Sequence, residues 1–302
     1  MGTTTDLTYA VDYDSLVSML QAKAPSTRTR GRELLVRAIK SELFSPEVAG
    51  RSEDRIYVGQ MSDRVRLDVA VGVSVLPYEG NLVMLTNPSG RYLPTQVLTR
   101  LGFITSLEGV KLFPGSLEQL VVNMSGGGTD WRHWAKDIYS WDGKAMRIIW
   151  DGWIKDVTTH FSPGADDDDK SRVMKTKVSF RDLDGDGVKE IMAVHTQEDG
   201  VLNPRTLEIR KLRSRTSWNV TYRWDKTFDY YLAYYGRIRA TLSVRCWERT
   251  YFQERFDTLT ETTRVGVLVK PNSRDAREEI STVVLPTKDF CQVPKSSLQF
   301  EP

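Results

Sequence analysis

Apolar residues recur along this chain at two periods, and the change between them falls near residue 50. Before it, Leu16, Val17, Met19 and Leu20 form one set spaced for a single side of a helix. Leu34, Leu35, Ala38 and Ile39 form a second set with the same property. Asp14 or Ser15 serves as the first cap, Pro25-Ser26 breaks the chain, and a second helix runs from near Thr29 to Leu43. Ser45-Pro46 then ends the helical part. From Ile56 onward the period is two, as in strands. Val65, Leu67, Val69 and Val71 alternate with polar or small residues, and a turn at Tyr78-Glu79-Gly80 leads into Asn81–Leu85. Asn87-Pro88-Ser89-Gly90 is another turn, followed by Tyr92-Leu93 and Val97-Leu98. Leu120–Val122 leads into Ser125-Gly126-Gly127-Gly128, which lacks the lysine and following helix of a P-loop and reads as a hairpin tip. Ile238, Ala240, Leu242, Val244 and Cys246 share one face of a single long strand, with arginines and hydroxyls on the other. Arg264–Lys270 and Thr282–Leu285 are further strands, and the tail after Cys291 is extended. The class is mainly β, with a short N-terminal helical segment over 1–50 and a β-domain over 51–302.

The β part contains a faint internal repeat. Ser116–Met124, a glycine-rich tip and Asp137-Ile-Tyr-Ser-Trp-Asp-Gly143 match Gly187–His195, a turn at Gly200 and Val220-Thr-Tyr-Arg-Trp-Asp225. Each unit is an apolar strand, a hairpin and a strand ending in Tyr-x-Trp-Asp. Gly115 and Glu118 stand in the first unit where the second has an acidic loop, and Leu82–Gly90 is an earlier echo. Repeats of several dozen residues built from small antiparallel sheets are the material of propellers.

Charge removes some functions and leaves others open. The 302 residues carry 42 basic and 40 acidic side chains, a net charge of +2, so no global field draws in nucleic acid. The basic cluster Arg28, Arg30, Arg32, Arg37 and Lys40 reads as a solvated helix face, with an anion-binding surface as the alternative. No apolar run reaches the roughly 18 residues needed to cross a membrane as a helix. Three histidines, His133, His160 and His195, are too few for a histidine-rich metal centre. Two cysteines, Cys246 and Cys291, allow one disulfide that would tie the tail to the long strand. The aromatic cluster Trp224, Phe228, Tyr230, Tyr231, Tyr234 and Tyr235 reads as core, with sugar stacking as the alternative.

The strongest chemical signal is Phe180-Arg-Asp-Leu-Asp-Gly-Asp-Gly-Val-Lys-Glu-Ile191. Carboxylates at every second residue can wrap one hard cation, and calcium takes six to eight oxygen ligands. The expected ligands are the side chains of Asp182, Asp184, Asp186 and Glu190 and the carbonyl of Val188. An EF-hand is excluded, because its twelfth position is Ala193 here and the flanks read as strands. The run Ala165-Asp166-Asp167-Asp168-Asp169-Lys170 lacks the alternating spacing and reads as an exposed acidic loop.

The motif at 180–191 resembles the calcium loop of FG-GAP/VCBS-type repeats, which build integrin-α-like β-propellers. That resemblance implies a β-propeller-like or irregular antiparallel repeat β-domain and a calcium-stabilised, exported or cell-surface binding protein. A family propeller carries several such loops, and this chain has one. Met1-Gly2-Thr3-Thr4-Thr5 has neither the basic start nor the apolar core of an export signal, so the reading takes the chain as a mature fragment. Protein or carbohydrate ligands and self-assembly remain open as partners. No nucleophile elbow, zinc-protease motif, Cys-x-x-Cys or dinucleotide fingerprint is present. A carbohydrate-active enzyme using carboxylates such as Asp130, Asp137 and Asp142 is one alternative, and a structural subunit of a surface assembly is another.

Overall fold

The computed structural model describes residues 13–43, 53–76, 79–86, 93–115, 117–128, 131–159, 171–248, 253–268 and 280–301. The expected turns at Ser45-Pro46 and Asn87–Gly90, together with Tyr78, Tyr92, Ser116, Asp130, His160, the Asp166–Asp169 run and Lys270, lie outside them. The protein is mainly β, its sheets are antiparallel, and among the described residues none closes into a barrel. Two compact units divide the chain, 1–126 with 138–146 and 127–137 with 147–302.

The first unit begins with α1 (Tyr13–Gln21) and α2 (Pro25–Leu43). The second helix starts at Pro25, four residues before the position its apolar pattern suggests. Proline fits a first helical turn because its missing N–H has no intrahelical partner there in any case. Four strands follow in meander order: β1 (Glu53–Gly59), β2 (Asp68–Leu76), β3 (Glu79–Thr86) and β4 (Leu93–Leu101). The helices cover one face, where Leu16, Leu35 and Ile39 share a core with Val69, Val71, Val83 and Leu85. Tyr13 ties α1 to the loop just before β2 by donating its hydroxyl to the Leu67 carbonyl. On the other face lies β5 (Phe103–Val110), where the Ile104 N–H reaches Ser74 Oγ at 2.7 Å. A hairpin joins β5 to β6 (Gln119–Gly127). Val65 does not belong to a strand with Val69 and Val71: it is 86% exposed, in the loop before β2.

Both units draw on β7 (Trp131–Trp141) and β8 (Met146–Thr158). In the second unit the meander continues through β9 (Ser171–Arg181), β10 (Glu190–Asn203), β11 (Glu208–Asp225) and β12 (Tyr230–Leu232), each paired with the one before. Trp150 of β8 is buried edge-on against Tyr222 of β11, with ring centroids 5.7 Å apart. Of the aromatic cluster, Phe228, Tyr230 and Tyr231 are buried core, and Tyr234 is exposed.

A second sheet of this unit contains β13 (Tyr234–Ile238), β14 (Leu242–Trp247), β15 (Glu254–Leu259), β16 (Arg264–Leu268), β17 (Ile280–Val284), β18 (Phe290–Pro294) and β19 (Leu298–Phe300). Its order is β15-β14-β18-β17-β16-β13-β19. The single long strand expected through Ile238 and Cys246 is therefore two strands, which are not neighbours. The alternation holds on both sides of the break, with Ile238, Val244 and Cys246 buried, while Ala240 at the break is exposed. The chain leaves one strand and enters another here, its Arg239 N–H bonding the Ser297 carbonyl at 2.8 Å. Cys246 and Cys291 form a buried disulfide between directly opposite residues of β14 and β18. No helix among the described residues is long and apolar enough to cross a membrane.

Candidate metal centre

The acidic loop joins β9 to β10 and is closed at its base by the pair Arg181 and Glu190. Its aspartates organise the backbone through their own side chains, as short acidic residues do in turns. Asp182 Oδ1 accepts the Gly185 N–H at 2.7 Å and its Oδ2 accepts the Gly187 N–H at 3.0 Å. Asp184 Oδ1 accepts the Asp186 N–H at 3.3 Å, and Asp186 Oδ1 accepts the Val188 N–H at 2.7 Å. Gly185 and Gly187 have φ of 81° and 86°, a left-handed conformation that a side chain would strain.

The curled loop brings Asp182, Asp184 and Asp186 together, with one carboxylate oxygen from each within 4.8 Å of the others, all exposed. Calcium–oxygen distances of about 2.3–2.6 Å place two ligands of one ion no more than about 5 Å apart, so the trio meets the size condition. A donor set made only of oxygen suits a hard cation. Glu190 stands outside this trio. It is buried, and its Oε2 accepts the Leu183 N–H at 2.9 Å. Val188 ends the loop, and the neighbouring Lys189 carbonyl accepts the Tyr231 hydroxyl at 2.9 Å. Burial and the carboxylates of Glu190 and Asp186 push the Tyr231 pKa well above its ordinary value, so that hydroxyl stays a donor.

No family model matches this sequence, and a search of curated proteins finds no match.

The contact made by Glu190 recurs in two other hairpins. Gln119 opens β6, pairs with Val110, and its Oε1 accepts the Leu112 N–H at 2.7 Å. Asp68 opens β2, pairs with Gly59, and its Oδ2 accepts the Met61 N–H at 2.9 Å. In all three, a buried acceptor on the first residue of the second strand holds the N–H seven positions earlier. The loops have one length and one brace, but their contents differ. Where the third loop has Asp182, Asp184 and Asp186, the second has Lys111, Phe113 and Gly115, and the first has Gln60, Ser62 and Arg64. Only the third keeps the carboxylates.

The described part of the echo, 82–86, thus falls in β3, one strand after the first of these hairpins. Glu118, matched above to the acidic loop, accepts the Tyr57 hydroxyl at 2.7 Å instead. A readable signal for the brace exists: a polar residue directly before an apolar run, as in Asp68-Val69-Ala70-Val71, Gln119-Leu120-Val121-Val122 and Glu190-Ile191-Met192-Ala193. The Tyr-x-Trp-Asp ends agree as well. Asp142 Oδ1 accepts the N–H groups of Lys144 and Ala145, both at 2.9 Å. Asp225 Oδ1 accepts those of Thr227 and Phe228 at 2.7 and 3.1 Å. Asp142 is thereby committed to its turn, while Asp137 lines a separate cavity of about 130 Å³ with Asp151, Trp247 and Phe290.

Truncating a brace tests its weight. Gln119→Ala leaves the Leu112 N–H buried without its acceptor, at a cost of about 1–2 kcal/mol in denaturant unfolding. Lys111→Ala, exposed at the start of the same loop, serves as a control and changes stability by less than about 0.5 kcal/mol. Equal midpoints for the two variants would remove the brace from the account of this fold.

Proposed function

We propose that this protein is a calcium-stabilised, non-enzymatic β-repeat protein of the binding or adhesion type, acting outside the cell or at its surface. The observation that carries the reading is the gathering of Asp182, Asp184 and Asp186 in one hairpin loop whose brace recurs in two loops lacking those carboxylates. In this reading the three aspartates, the Val188 carbonyl and Glu190, through the oxygen not engaged by Leu183, hold one calcium ion. Bound calcium supplies charge neutralisation and a cross-link within the loop. The residues themselves set the loop's curl, fix the start of β10 and, through Tyr231, anchor the site to β12.

The four-stranded sheet β1–β4 and the run β9–β12, which continues from β8 in one sheet, each open on a braced hairpin and are the repeating units of a propeller-like repeat domain in this reading. Export fits the buried Cys246–Cys291 disulfide, since such bonds persist in oxidising compartments. Partners of the binding reading are protein or carbohydrate ligands.

Affinity for calcium is expected in the class of extracellular modules, on the order of 10⁻⁴–10⁻³ M. At roughly tenfold excess over Kd the ion stabilises the folded state by about 1.4 kcal/mol. Titration calorimetry and melting with and without calcium check both expectations, against Asp184→Ala as the variant without a central ligand. Equal calcium binding by the two proteins, or calcium-dependent turnover of a substrate without any change in melting, replaces this reading.

A second reading, a structural subunit of a surface assembly, is favoured by the two sheet edges β15 and β19, which carry the exposed Phe256 and Phe300. Light scattering with and without a chelator separates the two: a stable monomer under both conditions removes the assembly reading.

A further inference from the structure

The first unit holds a groove of about 560 Å³ lined on one side by consecutive residues of one strand. It is lined by four consecutive residues of β1, Arg55, Ile56, Tyr57 and Val58. Successive side chains of a strand point to opposite faces. Ile56 and Val58 pack toward the helices. Arg55 and Tyr57 turn the other way, Arg55 Nε reaching the Thr105 carbonyl at 2.8 Å and the Tyr57 hydroxyl reaching Glu118. A groove touched by both sets runs along the strand's edge and not over either face. Among the described residues β1 is the terminal strand of its sheet, so that edge is the side opposite its pairing with β2. The facing wall comes from the helices, with Leu20 supplying apolar surface and Arg28 and Arg32 supplying charge. These two arginines are four apart on α2 and therefore share one side of it. With Arg55, three guanidinium groups border the groove, on a helix that carries five basic residues against Glu33 and Glu42.

We infer that this groove docks an extended acidic peptide of a partner protein, which adds to the sheet as a strand beside β1. Edge addition fits a groove lined by consecutive residues of a terminal strand: main-chain hydrogen bonds give the affinity, and alternate side chains give specificity. Four residues of β1 present about 13 Å of edge, enough for a short segment. Carboxylates along one side of the peptide meet Arg28 and Arg32, and the apolar residues that alternate with them take the other side. Guanidinium groups pair with carboxylates through two parallel hydrogen bonds, which adds register to charge. The inference names a partner class for the binding reading above, but it rests on this groove alone and is independent of the ion at 182–190.

Fluorescence anisotropy of the full chain with a labelled peptide Thr-Asp-Val-Asp-Val-Glu-Val-Thr tests it. Three comparisons accompany it: a peptide with lysine at each acidic position, one N-methylated at its central valine, and the protein variants Arg28→Glu/Arg32→Glu and Arg30→Glu. All three arginines are exposed, and melting of each variant is measured beside binding so that a loss of affinity is read only from folded protein. The acidic peptide is expected to bind, the lysine peptide not to bind, and N-methylation to weaken binding about tenfold. The double reversal weakens it by at least about tenfold, and Arg30→Glu, off the groove, changes it by less than about threefold. Asp184→Ala leaves the affinity unchanged, which separates this test from that of the calcium reading. Absence of binding at millimolar peptide, equal binding of the lysine peptide, indifference to N-methylation, or equal effects of Arg30→Glu and the double reversal each overturn the proposal.

Discussion

Replacing both Cys246 and Cys291 by alanine is expected to lower stability by about 4 kcal/mol at 25 °C, the largest single effect among the changes considered. The two residues lie 45 positions apart, and β15, β16 and β17 all fall between them. Cross-linking the ends of so long a segment removes much of the freedom it has when unfolded. In the chain-entropy account the gain grows with the logarithm of loop length and comes to about 4 kcal/mol here. The folded side adds little to oppose it, because the pair is directly opposed across β14 and β18 and completely buried among Val244, Val283 and Val293. Inside the loop, β15 pairs back on β14 and β17 on its chain neighbours β16 and β18, while β16 alone reaches a more distant strand, β13. Guanidinium unfolding of the oxidised protein, the reduced protein and the double alanine variant checks this. Reduced and alanine forms should agree with each other and lie well below the oxidised form. Coincident midpoints for all three would mean that the bond is incidental to the sheet.

Elements whose signal is local could be read from the sequence. Two helices before residue 50, the strands around Leu82 and Leu120, and the loop between strands at 182–190 all follow from period and turn chemistry. Failures came where two local patterns are alike and tertiary context decides. Val65 continues the alternation of Val69 and Val71, yet 60–67 is a hairpin loop, because Asp68 takes the N–H groups of Met61 and Ser62 and curls the chain. Ile238 to Cys246 alternates without a break, and no residue there forbids a continuous strand. The break comes from partners, since β13 pairs with β16 and β19 while β14 pairs with β15 and β18. Of the candidate site, the three aspartates were legible because ligand spacing is itself a local pattern. The role of Glu190 was not, because the same carboxylate serves as a hairpin brace, a role visible only beside Asp68 and Gln119.

The acid side of the stability profile turns on His195. This residue sits mid-strand in β10 with 1% of its surface exposed. Its Nδ1 lies 2.9 Å from Thr176 Oγ1 on β9, and its ring stacks on Trp218 of β11 at 5.1 Å. Nε2 is buried with no hydrogen-bond partner among the described residues, so an added proton finds no acceptor there. Burial pushes the pKa down to about 4. An unfolded chain titrates its histidine near 6.5. Between those values the unfolded state holds a proton that the folded state refuses, and stability must fall as pH falls. The contribution is complete above about pH 6.5 and is lost progressively down to about pH 4, a total on the order of 3 kcal/mol. His133, stacked between Trp131 and Trp153, is also lowered by burial and acts with the same sign. Asp199 and Asp225 are held below the ordinary carboxylate range, Asp199 by Arg172 and its hydrogen bonds and Asp225 by Tyr235 and the N–H groups of Phe228 and Thr227, against burial in both cases. Their losses begin near pH 4, and that of Glu208, held down against burial by Lys155 and Lys175, begins near pH 4.5, so all three lie at the acid end of the histidine window. Urea unfolding from pH 7.5 to 4.5 should show a steady decline in the parent protein. His195→Gln keeps a polar partner for Thr176 but does not titrate, so its profile should be flatter by the His195 share, with lower stability at neutral pH and convergence toward the parent near pH 4.5. A variant profile parallel to that of the parent across the whole range would show that His195 is not the group that titrates.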